Sequence, residues 1–395
     1  MSSILFEKKR IDVNSIGVRF AAILISVCTM MYFINMPLML GLAVNDLSLD
    51  QSQVWLLGGF FLGGVALAAA LSILFIRIAH WQRLIFISGF MSLLAFLLPV
   101  FVSGFTFLLV CQGVAGLFAG LGYAVAIACL GDTANPTRNY ALALTAQTAA
   151  VAIVGYLLPQ LVVRGTTFNE ALIVVSGCSL VAILLGTMMP RNAKSASLKS
   201  AMNTQKPGAV YFTLFVLLLV FVGGSTVRNA IEPIASRLDF ASTEGGGVMI
   251  ILVLASGLGS LIAAFMGDRS GYVKPMAIAL GLATTVLVLG VFQLWPEQLS
   301  LIFAFCLVGG AWNFAAAYGM GLTAKLDSSG KYTPLIATMQ VIGNVAGIVI
   351  VGSLVVGGSY VLPYMLACIV WILALVFVIQ IAKRNQKRIT ASSSE

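Results

Sequence analysis

Apolar residues run along this chain in about twelve stretches, each long enough for a membrane helix and divided from the next by a short polar break. Crossing the hydrocarbon core takes about 20 apolar residues per helix. The stretches are continuous and lack period-two alternation, so helices rather than a membrane barrel are expected. The pattern predicts helices near 16–44, 51–76, 84–102, 106–130, 140–163 and 170–189, then near 209–236, 245–266, 276–295, 298–323, 333–356 and 359–382. Asp50 followed by Gln53 reads as a capping box opening the second helix. The pairs Gly59/Gly63, Gly116/Gly120 and Gly343/Gly347 have the small-x-x-x-small spacing that lets helices approach closely in lipid.

One internal stretch departs from this pattern. From Pro190 to Gly208 the chain reads P-R-N-A-K-S-A-S-L-K-S-A-M-N-T-Q-K-P-G, basic, polar and without an acid. Such a segment buries too little apolar surface to offset its conformational entropy, so a solvated connector is expected. It predicts an N-terminal six-helix bundle over 1–189, a linker over 190–208, and a C-terminal bundle with a basic tail over 209–395. The halves also resemble each other. L-G-D-T-A-N-P-T-R-N-Y-A-L-A-L-T-A-Q, from Leu130 to Gln147, aligns with L-D-S-S-G-K-Y-T-P-L-I-A-T-M-Q, from Leu326 to Gln340. N-M-P around Pro37 likewise matches I-E-P around Pro233. A duplicated six-helix unit places a solute site between the halves near mid-membrane.

Composition agrees. Of 395 residues, 60% are hydrophobic and 9% charged, against roughly 25% charged in a soluble domain; the mean hydropathy is +1.04. The net charge of +9 does not point to nucleic acid, because the bases cluster in the tails, the linker and every second loop. Of the 22 bases, only Arg164 and Arg237 fall on the other side, and Arg228 lies within a helix. That bias places both termini and the linker in the cytoplasm, and the expected location is a bacterial inner membrane. The six cysteines sit in apolar runs without C-x-x-C spacing, which reads as small buried hydrophobes rather than a metal site or disulfide frame.

Two formal charges, Arg228 and Glu232, sit inside a predicted span, four residues apart on one helical face that Ser225, Asn229 and Ser236 extend. A charge at the bilayer centre costs on the order of 3 kcal/mol or more, so this face is expected to meet water. In that reading Arg228 holds an anionic group of a solute and Glu232 takes up a proton. The bland alternative is an ion pair near the outer end of the helix.

The most specific motif is G-D-R-S-G-Y-V-K at Gly267–Lys274, after the eighth helix. It is similar to the loop signature of the major facilitator superfamily, D-R-x-G followed by bases, and the resemblance extends over essentially the whole chain. In the first half the same loop reads F-I-R-I-A-H-W-Q-R, with Ile76 where the Asp would sit. The resemblance implies an all-α membrane protein of twelve transmembrane helices in two pseudo-symmetric six-helix bundles. It further implies a monomeric carrier embedded in the lipid bilayer, using no cofactor or metal. It also implies a cytoplasmic latch at Asp268 and Arg269, and a cavity lined by the first, fourth, seventh and tenth helices; independently of the resemblance, the loop charges Asp132, Arg138, Asp327 and Lys331 read either as alternating gates or as solvated loop charges. Candidate lining residues are Tyr32, Asn35, Gln112, Tyr123, Trp312, Asn313 and Tyr318, with Gln147, Gln340 and Asn344 reaching in from flanking helices. For each, a hydrogen bond between helices is the competing reading. The expected activity is secondary transport of a small organic solute bearing a carboxylate or other anion, coupled to protons. The rivals are proton-driven efflux of amphipathic compounds and a scaffold or sensor that moves nothing. The spans offer no Ser/His pair, metal ligands or paired carboxylates, which speaks against an enzyme.

Overall fold

In lipid a backbone N–H or C=O has no water to bond, so an apolar run folds into a helix that satisfies its own backbone. A computed structural model of the chain describes the backbone of residues 12–163, 165–193, 208–237, 245–291, 298–355 and 361–392. Side chains are described over 12–154, 165–193, 208–230, 252–289, 305–355 and 361–381. The N-terminal half comprises α1 (Ile16–Thr29), α2 (Met31–Ile34), α3 (Met36–Leu47), α4 (Gln51–Leu71), α5 (Trp81–Phe101), α6 (Phe105–Gly131), α7 (Pro136–Val163) and α8 (Phe168–Gly186). The C-terminal half comprises α9 (Gly208–Arg237), α10 (Gly245–Met266), α11 (Val273–Val291), α12 (Gln298–Leu326), α13 (Leu335–Leu354) and α14 (Val361–Ser392). With α1 to α3 counted as one broken span, this is a twelve-helix fold. Among the described residues, nine helices are long and apolar enough to cross a membrane. Most of the expected linker, residues 194–207, lies outside the described residues.

Helix ends follow local chemistry. Asp50 accepts from the Gln53 N–H at 2.8 Å while the Gln53 side chain accepts from the Asp50 N–H at 3.0 Å, the expected capping box. The two hydrogen bonds from Ser52 and Gln53 hold the Asp50 carboxyl below its ordinary range. Thr167 and Glu170 form a second such box at the start of α8, and the Phe168 N–H donates to the Asp46 carboxylate at the end of α3.

The first span is not the continuous helix expected over 16–44. It breaks at Met30 and again at Asn35. Pro37 has no N–H to give to the carbonyl one turn back and its ring crowds that carbonyl. The Asn35 N–H bonds the Phe33 oxygen instead, and its side-chain amide donates to the Met31 carbonyl at 3.1 Å.

The helices pair in the same way in both halves. α4 packs on α6 as α10 packs on α12, α5 on α6 as α11 on α12, and α5 on α8 as α11 on α14. These repeated pairings define two pseudo-symmetric six-helix bundles. Across the junction α7 lies along α10 and α12, and α13 lies against α4 and α6. Some contacts require glycine. A side chain at Gly116 would strike the Phe61 carbonyl, and one at Gly120 would sit 2.6 Å from the Val65 carbonyl, so α4 and α6 meet backbone to backbone. Gly343 and Gly347 do the same for α13 against α9, at Phe221 and Ser225. Gly59 and Gly63 do not: a Cβ at either would meet nothing within 4 Å, so the expected close packing there is corrected.

Candidate functional site

The loops 72–80, 132–135, 187–193, 267–272 and 327–334 turn on the face that also carries Asp12, here termed the terminal face. A run of polar contacts extends inward from it along the junction of the bundles. Its centre is Tyr123 of α6, 1% exposed, whose hydroxyl donates to Oε1 of Gln340 on α13 at 2.6 Å. Gln147 of α7 lies beside the same hydroxyl, and its buried Nε2 has no hydrogen-bond partner. The two glutamines that occupy matching places in the internal repeat therefore converge on one tyrosine.

From Gln340 the polar run continues up α13 and crosses to α9. Asn344 donates to the Gln340 carbonyl at 2.7 Å, Ser225 donates to the Asn344 carbonyl at 2.8 Å, and Asn229 donates to the Ser225 carbonyl at 2.7 Å. Arg228, partly buried, adjoins Asn229 at the upper end of this run. At 1.5 Å rise per residue it stands roughly 30 Å along α9 from Gly208. The Glu232 side chain lies outside the described residues, although the backbone of α9 runs on through Glu232 and Pro233.

The other candidates take up structural positions. Tyr32 is fully buried and its ring packs against Phe61 at 4.6 Å and Phe96 at 5.5 Å between ring centroids. Asn35 serves the break between α2 and α3. Asn313 donates to the Ser256 carbonyl at 3.2 Å, tying α12 to α10. The face of Trp312 lies on Gly224, where a Cβ would collide with the indole. Tyr318 donates to the Gly267 carbonyl at 3.0 Å. Gln112 is fully buried with neither amide atom hydrogen-bonded.

At the terminal face the bundles are locked by a different set. Arg77 grips Asp132 with two parallel bonds of 2.7 and 2.8 Å, the planar fork that a guanidinium makes with a carboxylate. Asp132, one of the loop charges named as a gate candidate, is thus paired with Arg77. Arg138 is exposed in the first turn of α7, where its N–H is capped by Asn135 at 3.1 Å. The Arg77 guanidinium also lies on Gly330 of the opposite bundle, at a position of φ +62°. Asp327 builds the loop that presents this glycine, accepting from the Tyr332 and Thr333 N–H groups, both at 2.7 Å, and from the Thr333 hydroxyl at 2.9 Å.

The G-D-R-S-G turn packs against the start of α7, with Gly267 beside Asn135. Asp268 thus sits near the N-terminus of a helix in the other bundle, where the dipole favours an anion. Burial, and then the neighbouring Asp268 carboxylate, push the Tyr272 phenol above its ordinary pKa. Arg269 is exposed and makes no ion pair among the described residues. Deeper, Thr145 and Ser260 share a hydrogen bond of 2.8 Å between α7 and α10, and Gly321 lies on Thr137. Arg77 is a remaining base of the first-half loop and Gly330 is not singled out by the sequence, while the separation of 55 positions between Arg77 and Asp132 leaves no local spacing that would couple them.

Twelve helices in two pseudo-symmetric bundles, joined along a polar seam, define a multi-pass membrane protein with the major facilitator superfamily fold. No protein-family profile matches the sequence, and no curated protein matches it. Solved structures do. The chain is similar to the transporter FucP in its outward conformation, with a TM-score of 0.70 and 13% identity over 93% of this chain and 99% of that one. It is similar to the proton:xylose symporter XylE bound to 6-bromo-6-deoxy-D-glucose, with a TM-score of 0.74 and 12% identity over 95% and 96% of the two chains. A variant of the E. coli fucose:proton symporter FucP matches with a TM-score of 0.67 and 13% identity over 92% and 97%.

Proposed function

We propose that this chain is a secondary active transporter that moves a small organic solute by alternating access, with the bundles 1–189 and 209–395 rocking about the seam. The observation that carries the reading is the Tyr123 to Gln340 hydrogen bond, with Gln147 beside it. A buried polar layer is costly where a member lacks a partner, and Gln147 Nε2 is not satisfied, so opening the seam to water would relieve a cost that the closed state carries. In this reading the terminal face is cytoplasmic, as the distribution of bases suggests, and the described state is closed to it.

Arg228 meets an anionic group of the solute above the seal, and Glu232, one turn further, exchanges the proton. The fold-level likeness to two proton symporters supports coupling of this kind. A second reading, a neutral hydroxylated solute, is favoured by the amide side chains of Gln147, Asn229 and Asn344 and by the likeness to structures of sugar carriers. Counterflow in proteoliposomes, with panels of carboxylates and of neutral polyols, separates the two. Wild-type protein should exchange at least one carboxylate, Arg228→Ala should lose it, and Glu232→Gln should keep exchange but lose uptake driven by a pH gradient. Exchange of polyols alone, unaffected by Arg228→Ala, selects the second reading. No exchange by a folded protein with any solute argues for a scaffold or sensor.

A further inference from the structure

We propose that the N-terminal bundle holds one anionic phospholipid by its phosphate in a pocket at the start of α5, apart from the seam between the bundles. The pocket is open, about 540 Å3 in volume, and lined by His80, Gln82, Arg83, Phe86, Ile87 and Arg191. Three of these six carry or can carry positive charge and none is an acid. The Nδ1 of His80 is buried without a hydrogen-bond partner, so the imidazole spends none of that nitrogen on a neighbouring loop.

The walls are fixed rather than a chance meeting of loops. The Trp81 N–H donates to the Arg191 carbonyl at 2.7 Å, and its fully buried indole donates to the Ile76 carbonyl at 2.8 Å. The Gln82 amide donates to the Met189 carbonyl at 2.7 Å and the Thr187 carbonyl at 3.3 Å, binding the start of α5 to the end of α8.

Charge and polarity together select the occupant. The basic rim suits a phosphate diester, because guanidinium groups pair with phosphate oxygens through two bonds. Directly below it the wall turns apolar: Phe86 is 56% exposed, Phe90 45%, and their rings stack at 6.1 Å. At 1.5 Å per residue these rings stand roughly 5 to 10 Å deeper than Arg83 along α5, where acyl chains begin. A free phosphate has no use for that wall. The choline of a zwitterionic lipid would meet the cationic rim, so a lipid of net negative charge fits best.

Native mass spectrometry of the purified full chain tests this, with phosphatidylglycerol, phosphatidylcholine and sodium phosphate as probes. Phosphatidylglycerol should bind at least tenfold more tightly than phosphatidylcholine, and millimolar phosphate should not displace it. Near a membrane each basic residue contributes about fivefold, so Arg83→Gln with Arg191→Gln should weaken binding about 25-fold. Arg191→Gln alone, at an exposed residue, should weaken it about fivefold and serves if the double variant fails to fold. Lys274→Gln with Lys325→Gln, which removes the same charge from the same face, should leave binding unchanged. Equal binding of the two lipids, equal loss in the Lys274 and Lys325 control, or displacement by phosphate would each overturn the proposal.

Discussion

The guanidinium of Arg77, fixed by Asp132 in one bundle, rests on the backbone of Gly330 in the other. A salt bridge confined to one half thereby becomes part of the junction between halves. The pair is largely shielded, with side chains 20% and 9% exposed, so it is screened less than a surface ion pair. Asp132→Asn should lower thermal stability by about 2 kcal/mol, the scale of a hydrogen bond to a charged group. Arg138→Gln, at an exposed residue, should change it by less than about 0.5 kcal/mol. Thermal unfolding of the two variants in the same detergent checks the difference.

Gly330 has two reasons to remain glycine. Its φ of +62° disfavours any residue with a Cβ, and that Cβ would overlap the Arg77 guanidinium. Gly330→Ala is expected to force the loop off Arg77 at a cost of at least about 1 kcal/mol. The result should be faster reaction of a cysteine placed at Thr137, on the seam, with a membrane-impermeant thiol reagent added from the terminal face. An unchanged labelling rate would show that this contact does not help hold the seam.

Tyr123→Phe removes the hydroxyl and leaves Gln340 Oε1 buried without a donor. Such a group costs roughly 1 to 3 kcal/mol, and the state in which it is buried loses that much relative to a state that exposes it to water. The equilibrium should move about tenfold toward opening at the terminal face. Adding Gln340→Leu to Tyr123→Phe, which removes the acceptor as well, should shift it less. Solute exchange rates and labelling of the seam report the shift.

The close-packed and open glycines of α4 and α6 form an internal control. Gly116→Leu has no room against the Phe61 carbonyl and should destabilise the N-terminal bundle by about 3 kcal/mol. A Cβ at exposed Gly59 meets nothing within 4 Å, so Gly59→Leu should be nearly neutral. Expression and thermal unfolding separate the two.

Much of the architecture was readable from the chain because lipid leaves helices little freedom. The expected 245–266 helix coincides with α10, and most other ends fall within a few residues. The first span was misread because Pro37 looks the same whether a helix bends or breaks. Pro99 stays inside α5, for instance, while Pro37 opens a new segment as the second residue of α3. At the seam, the internal repeat pointed to Gln147 and Gln340, and the structure joins them at Tyr123. The repeat carried no sign of Arg77 meeting Asp132, since helix order rather than spacing brings those residues together. Nor could polarity alone separate Asn35 and Asn313, which bond within their own bundles, from Gln340, which bonds across.

The central claim, that the seam opens and closes, is tested most directly by the distance between spin labels at Arg138 and Ser270, exposed positions on opposite bundles at the terminal face. Pulsed electron paramagnetic resonance in lipid nanodiscs should resolve a short and a longer population, with the longer one enriched severalfold by Tyr123→Phe. A single distance, the same in wild type and variant, would contradict the account.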